Sequence, residues 1–353
     1  MRTRYVGILV ILLLLFLCLF AGCNSEPEPT GYPYTYGDVT FELTPKRVVS
    51  LSPALTESLY TLGYGGRVVG VSNYCDRPTA ADGLPSCGIA QSPDLEGIYA
   101  LNPDLLLTSV ELHADALATL AEMGIPVVTV GWAEDIDGVV QNQADLLLIF
   151  EGEIKGAERA AQVAYYADTM TAYICDSVGR YLAQPPAVVT DGDDEEAGGE
   201  EASGGAEAAV PSAIYMARMD FVLATGDTLM GQFLEGMGFV NQADPYTGWS
   251  YPPEDEPDLN PDYIFYSQDV DVTALVASDY YKLTRAVTSE RVYEVDGLAF
   301  ERQSIMMFDE MYRMARSAFP DAFERPVPQL TPPQPKPPEP EPKWYDFILD
   351  WFD

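Results

Sequence analysis

"RVVSLSPALTESLYTLGYGGRVVGVS", residues 47–72, packs a strand, a helix and a second strand into one short span. The β-branched run "RVVSL" (47–51) opens it, Leu55, Leu59 and Leu62 then recur at helical spacing before a glycine stop, and "RVVGVS" (67–72) closes it. The alternation continues outward. "LLLTS" (105–109) and "PVVTVG" (126–131) read as strands separated by the amphipathic helix "ADALATLAEMG" (114–124). Farther on come "AIYMA" (213–217), "FVLAT" (221–225), the helix-like "TLMGQFLEGMG" (228–238), "YIFYS" (263–267) and "VYEVD" (292–296). Strands alternating with short helices predict an α/β fold with mainly parallel, doubly wound sheets.

Length divides this pattern in two. A chain of 353 residues exceeds the size at which one core keeps growing. Between the two sets of strands, residues 151–183 are proline-free and alanine-rich, and predict one helix of about 30 residues, roughly 45 Å long at 1.5 Å per residue. The expected organisation is an N-terminal lobe over 45–150, a linker helix over 151–185 and a C-terminal lobe over 186–325. Within the second lobe, "DGDDEEAGGEEASGGAEAA" (191–209) has nothing to bury and reads as a disordered acidic insertion.

A short device is used twice. "DLEGIYALNPDLLLTS" (94–109) is echoed by "EDEPDLNPDYIFYS" (254–267), and each copy has a glutamate seven places before its proline, Glu96 before Pro103 and Glu254 before Pro261.

Composition excludes some functions. Asp and Glu number 55 against 19 Lys and Arg, a formal net charge of −36, so the basic face that nucleic acid binding requires is not expected. The apolar fraction of 47% suffices for real cores. With one histidine, His113, most histidine-dependent catalysis is excluded unless that residue serves, and neither Gly-x-Ser-x-Gly nor a phosphate-cradling glycine loop occurs. No carboxylate pair is singled out by its surroundings. The expectation is a protein that is not an enzyme and has no resident cofactor or metal.

The N-terminus sets the compartment. "MRTRYVGILVILLLLFLCLFAGC" has two arginines, an apolar run from Tyr5 to Phe20 and small residues up to Cys23, which reads as an export signal over 1–22. It resembles a bacterial lipoprotein signal, which implies lipidation of Cys23, a tether over 23–44 and a place on the outer face of the cell membrane. Cys75 and Cys87 flank the turn-rich "CDRPTAADGLPSC", and in an exported protein a local disulfide is expected there. At the other end, "TPPQPKPPEPEP" (331–342) predicts a polyproline spacer of roughly 35–40 Å within the tail 326–353, carrying the aromatic segment "KWYDFILDWFD".

"KRVVSLSPALTESLYTLGYGGRVVGVSNYCDRP" followed by "SPDLEGIYALNPDLLLTS" resembles the substrate-binding proteins of ABC importers for cobalamin, ferric siderophores and heme. The resemblance covers roughly residues 40–325, and in the second lobe it rests on "TGDTLMGQFLEGMGFVNQA" and the "LNPDYIFYS" echo. It implies two Rossmann-like lobes joined by one rigid helix, with the ligand in the cleft between them. Further implied are a monomer that delivers a metal chelate to a permease of two subunits driven by a cytoplasmic ATPase, and docking of Glu96 and Glu254 on that permease.

Cleft residues follow from the rule that open α/β sheets bind ligands at the carboxyl ends of their strands. The candidates are Ser52, Pro53 and Ala54, Tyr74, the Val110–His113 loop and the Thr247–Tyr251 loop. Tyr74 and Trp249 resemble the aromatics that grip a corrin ring, whereas Ala90 and Ser109 stand where two further aromatics of the cobalamin pattern would be. His113 is a candidate axial ligand to a heme or corrin metal, and Arg285, Arg291 and Arg302 are candidate partners for ligand carboxylates. A corrinoid is the first expectation, a ferric siderophore or heme the second. A surface adhesin or scaffold lipoprotein is the alternative of another class.

Overall fold

The computed structural model describes residues 31–183, 210–219, 221–252 and 259–323. The signal, Cys23, the acidic insertion, Glu254 and the proline-rich tail lie outside the described residues.

The first element is one the alternation did not predict. Strands β1 (Tyr34–Tyr36) and β2 (Val39–Phe41) form an antiparallel hairpin within the stretch read as a tether. Next come β3 (Val48–Ser50), helix α1 (Pro53–Thr61) and β4 (Val68–Val71). Ser52 caps α1, its hydroxyl accepting the Leu55 N–H at 3.3 Å, and Pro53 stands in the first turn, where its missing N–H is no loss. A small pair, β5 (Gly88–Ile89) and β6 (Ser92–Pro93), leads to α2 (Leu95–Ala100), β7 (Leu105–Thr108), α3 (Ala114–Glu122) and β8 (Val127–Thr129). The sheet order is β4-β3-β7-β8 and every pairing is parallel. Every residue of β3 and β7 is buried, which explains their unbroken apolar reading.

Helix α4 (Ile136–Leu182) ties the molecule together, with a break at Gly152 (φ 75°, ψ 176°). The linker was expected to start at 151; instead helix precedes the break as well. At the break the Glu153 N–H donates to Gly31 O at 3.0 Å, and a Cβ on Gly31 would lie 2.4 Å from Ile154 N. Beyond it, Arg159 donates to Tyr64 Oη (3.0 Å) and Leu62 O (3.1 Å), both on the first-lobe side, while Tyr166 donates to Asp309 Oδ1 at 2.7 Å on the other.

The second lobe carries β9 (Ser212–Arg218), β10 (Val222–Leu223), α5 (Leu229–Gly236), β11 (Val240–Asn241), β12 (Tyr263–Ser267), α6 (Val272–Ala277), α7 (Arg285–Thr288), β13 (Val292–Val295), α8 (Gly297–Arg302) and α9 (Met307–Ala318). Its order is β10-β9-β12-β13, with β11 also on β9. All pairings are parallel except β10 on β9, where the chain turns straight back and the expected strand over 221–225 becomes the arm of a hairpin.

The repeated Leu-Asn-Pro-Asp does the same work in both lobes. Asp104 accepts the N–H groups of Lys46 and Arg47 (2.8 and 2.9 Å), and its own N–H donates to Arg47 O. Asp262 accepts the N–H and hydroxyl of Ser212 (2.8 and 2.9 Å), and its N–H donates to Ser212 O. Each aspartate thereby fixes the start of one strand against the start of the central strand beside it. The motif recurs because each lobe has the same joint.

Candidate functional site

The carboxyl ends of the two sheets face a cavity of about 660 Å³, within the range that accommodates a small-molecule ligand. The first lobe contributes Trp132, Ala133 and Glu134, the segment between β8 and α4. The second contributes the end of β9 (Tyr215, Ala217, Arg218), the loop into α5 from Asp227, and Gly248-Trp249. Asp269 after β12 and the α8 segment from Gly297 to Gln303 complete the wall.

Trp132 and Trp249, 52% and 37% exposed, present the large apolar faces, one from each lobe. Trp249 stands in the left-handed region (φ 62°), sparsely populated for a residue with a bulky side chain. Polar groups hold it there. The Asp227 carboxylate accepts the Gly248 N–H (3.0 and 3.2 Å), and the Thr225 hydroxyl accepts the Trp249 N–H at 3.2 Å while donating to Asp227. The Thr225 hydroxyl and then the Gly248 N–H hold the Asp227 carboxyl below its ordinary range. Underneath, buried Tyr215 meets the Trp249 ring edge-on with centroids 6.3 Å apart, and burial pushes its phenol above the usual tyrosine range, so it stays neutral.

Charge around the cavity is one-sided. Glu134, Asp227, Asp269 and Glu301 line it, all exposed, against the single guanidinium of Arg218. Among the described residues, no group of three or more His, Cys, Asp or Glu is placed to hold a metal ion.

The lobes are joined along one wall by polar ties. The Gln303 side-chain amide makes two hydrogen bonds to the Ala133 backbone (2.9 and 2.8 Å), and Gln143 Nε2 donates to Gln303 O at 3.1 Å. The Ser304 hydroxyl donates to buried Glu57, Arg302 pairs with Asp76 at 2.6 Å, and Arg77 pairs with Asp296 at 2.7 Å. The Asp296 hydrogen bond raises the Arg77 pKa further above neutrality.

Of the residues expected at the site, Trp249 lines the cavity. Ser52 is a buried helix cap and Pro53 a half-buried first-turn residue; Ala54 and Leu55 beyond them reach a smaller annexe of the cleft. Tyr74 is 68% exposed and outside the lining. His113 is exposed at the start of α3, also outside the lining. Tyr251 is buried in the second-lobe core against Tyr246 and Phe221, with centroids 4.8 and 6.3 Å apart. Arg285 pairs with Asp262 at 3.0 Å and Arg291 lies over the Tyr263 ring at 5.0 Å, while Arg302 borders the annexe. The disulfide expected between Cys75 and Cys87 is not formed. Both are free thiols, Cys75 Sγ donating to Arg77 O at 3.3 Å and buried Cys87 Sγ to Pro85 O at 3.7 Å, with the Cys87 thiol pushed up to about 11 by burial. Glu96 is exposed on the first turn of α2, whose cap is Asp94.

Residues 48–167 match the family described as periplasmic binding protein. Over 331 residues the chain is 28% identical to an uncharacterized ABC transporter substrate-binding lipoprotein of Bacillus subtilis, covering 88% of this chain and 96% of that one. It is 26% identical over 344 residues to a cobalamin-binding protein of Halobacterium salinarum, covering 90% and 85%. Among solved structures, a periplasmic heme-binding protein from Roseiflexus in apo form matches with a TM-score of 0.58 at 21% identity, covering 78% of this chain and 99% of that one, a likeness of fold.

Proposed function

We propose that the chain is the substrate-binding component of an ABC transporter, that its cargo is a metal chelate and, within that class, a corrinoid. The observation that carries this choice is the charge of the cavity, four carboxylates against one guanidinium beside two tryptophan faces. Heme brings two propionates and many ferric siderophores bring carboxylates, which such a site repels, because a cleft walled by one sign of charge concentrates its own field. A corrin ring carries neutral carboxamides on its rim and offers broad apolar faces to the tryptophans. The name of the Halobacterium relative points to the same ligand class.

The protein does no chemistry on this cargo; affinity and delivery are its function. Lipidation at Cys23 keeps it at the outer face of the membrane, and Glu96 and Glu254 dock the two lobes on arginines of the two permease subunits, a geometry in which carboxylate and guanidinium supply direction as well as attraction. Calorimetry with cyanocobinamide, cyanocobalamin, hemin and a ferric hydroxamate tests the cargo. One corrinoid should bind per protein, and Trp132→Ala and Trp249→Ala should each weaken it by about 1–3 kcal/mol through lost aromatic contact, with Tyr74→Ala as the silent control. Tight binding of hemin or the ferric hydroxamate, with no heat from either corrinoid, would overturn the choice.

A further inference from the structure

Beside the main cavity, and sharing Trp132 and Gln303 with it, the first lobe opens a narrow annexe bordered by Ser58 of α1, Ser109 after β7, Gln143 of α4 and Arg302. It lies at the switch point of the sheet, between the loops that follow β3 and β7, where strand order reverses. At about 10 Å³ it has room for the tip of a side chain or one water.

Two of its residues carry atoms left over by the fold. Gln143 is 1% exposed and Arg302 9%, and among the described residues Gln143 Oε1 and Arg302 Nε are buried without a hydrogen-bond partner. Each side chain is anchored through another of its atoms. Gln143 Nε2 donates to Ser58 Oγ (3.2 Å) and Gln303 O (3.1 Å), which fixes the amide so that Oε1 is the unspent end. Asp76 holds the Arg302 guanidinium through one terminal nitrogen at 2.6 Å and matches its charge, while Nε–H is the donor buried without a partner. Buried polar atoms are normally paired, so one acceptor and one donor bordering the same annexe point to something that supplies the complement of both.

We propose that the annexe is a subsite for one primary carboxamide on the rim of the bound chelate, its N–H donating to Gln143 Oε1 and its carbonyl accepting from Arg302 Nε. This rests on the corrinoid reading, because the corrin rim is the part of such a ligand that carries primary amides. A carboxylate in the same place has no N–H to give, and sets an anionic oxygen against Gln143 Oε1.

The test uses the ligand first. The unmodified protein is titrated with cyanocobinamide and with its separate monocarboxylic acids, in each of which a different rim amide has become an acid. All the acids change net charge equally, and comparison with a Gln143 variant, which leaves the cavity carboxylates in place, separates the annexe from their field. One isomer should lose about tenfold or more in affinity while the others bind alike, the loss expected when a buried acceptor is left unpaired. In Gln143→Met, which removes the acceptor at similar size, that isomer should no longer stand apart. If cyanocobinamide binds tightly and all its monocarboxylic acids bind alike, the annexe holds only water and the subsite is overturned while the corrinoid reading stands. If no corrinoid binds at all, both fall.

Discussion

Trp249 is held in a left-handed backbone conformation by two groups that do not themselves present apolar surface, Asp227 and Thr225. Such strain persists only where surrounding contacts over-determine it, and here those contacts set one aromatic wall of the cleft. Asp227→Ala should therefore weaken ligand binding several-fold with thermal stability nearly unchanged, because the carboxylate is exposed and its work is to orient a loop. Calorimetry beside a thermal melt separates the two effects. Because the folded protein depresses the Asp227 pKa, the ionised clip is fully present above the ordinary aspartate value of 3.8 and is lost as pH falls through the lower folded value. Affinity should accordingly be flat through neutrality and decline only below that range. Trp249 was legible because its loop follows the strand-end rule, and Trp132, directly after "PVVTVG", obeys the same rule and was within reach of it. Tyr74 also follows a strand, yet its loop meets the second lobe through Asp76 and Arg77 and leaves the ring outside. Which side chain of a loop faces the partner lobe is set by lobe packing, and spacing along the chain carries no record of it.

Among the elements, the long helix α4 is interrupted at Gly152. Its φ of 75° with ψ of 176° is a backbone region open essentially to glycine alone. Gly152→Ala should cost roughly 1–3 kcal/mol in urea unfolding. Gly179 lies exposed in the same helix, and a Cβ added there would meet nothing within 4 Å, so Gly179→Ala should stabilise by about 0.5–1 kcal/mol. Equal effects at the two sites would refute the account of the break. Most strands and helices were legible because buried parallel strands read as unbroken β-branched runs and their helices carry clear leucine spacing. The β1-β2 hairpin was not, since its stability comes from contact with a distant helix: Tyr32 donates to Ile149 O at 2.8 Å and Tyr36 to Asp145 at 3.1 Å. The turn-back of β10 on β9 was hidden for the same reason, as strand direction is a property of pairing.

For the whole molecule, a net charge of −36 dominates behaviour in solution. Mutual repulsion of exposed carboxylates opposes the compact state, and salt shortens its reach from about 10 Å at 0.1 M to about 3 Å at 1 M. The melting temperature should rise across that interval; a fall would mean that the attractive pairs, such as Arg77–Asp296 and Arg302–Asp76, outweigh the repulsion. Docking is a separate matter from capture. Glu96 is exposed and outside the cavity lining, so Glu96→Ala should leave affinity unchanged and reduce uptake in reconstituted vesicles, more so when combined with Glu254→Ala. The central claim is the identity of the cargo, and competition tests it most directly. The protein is offered equimolar cyanocobinamide, hemin and a ferric hydroxamate together, separated from free ligand, and its visible spectrum recorded. Corrin bands at one equivalent per protein are the predicted result; a heme Soret band or a ferric hydroxamate band in their place would contradict it.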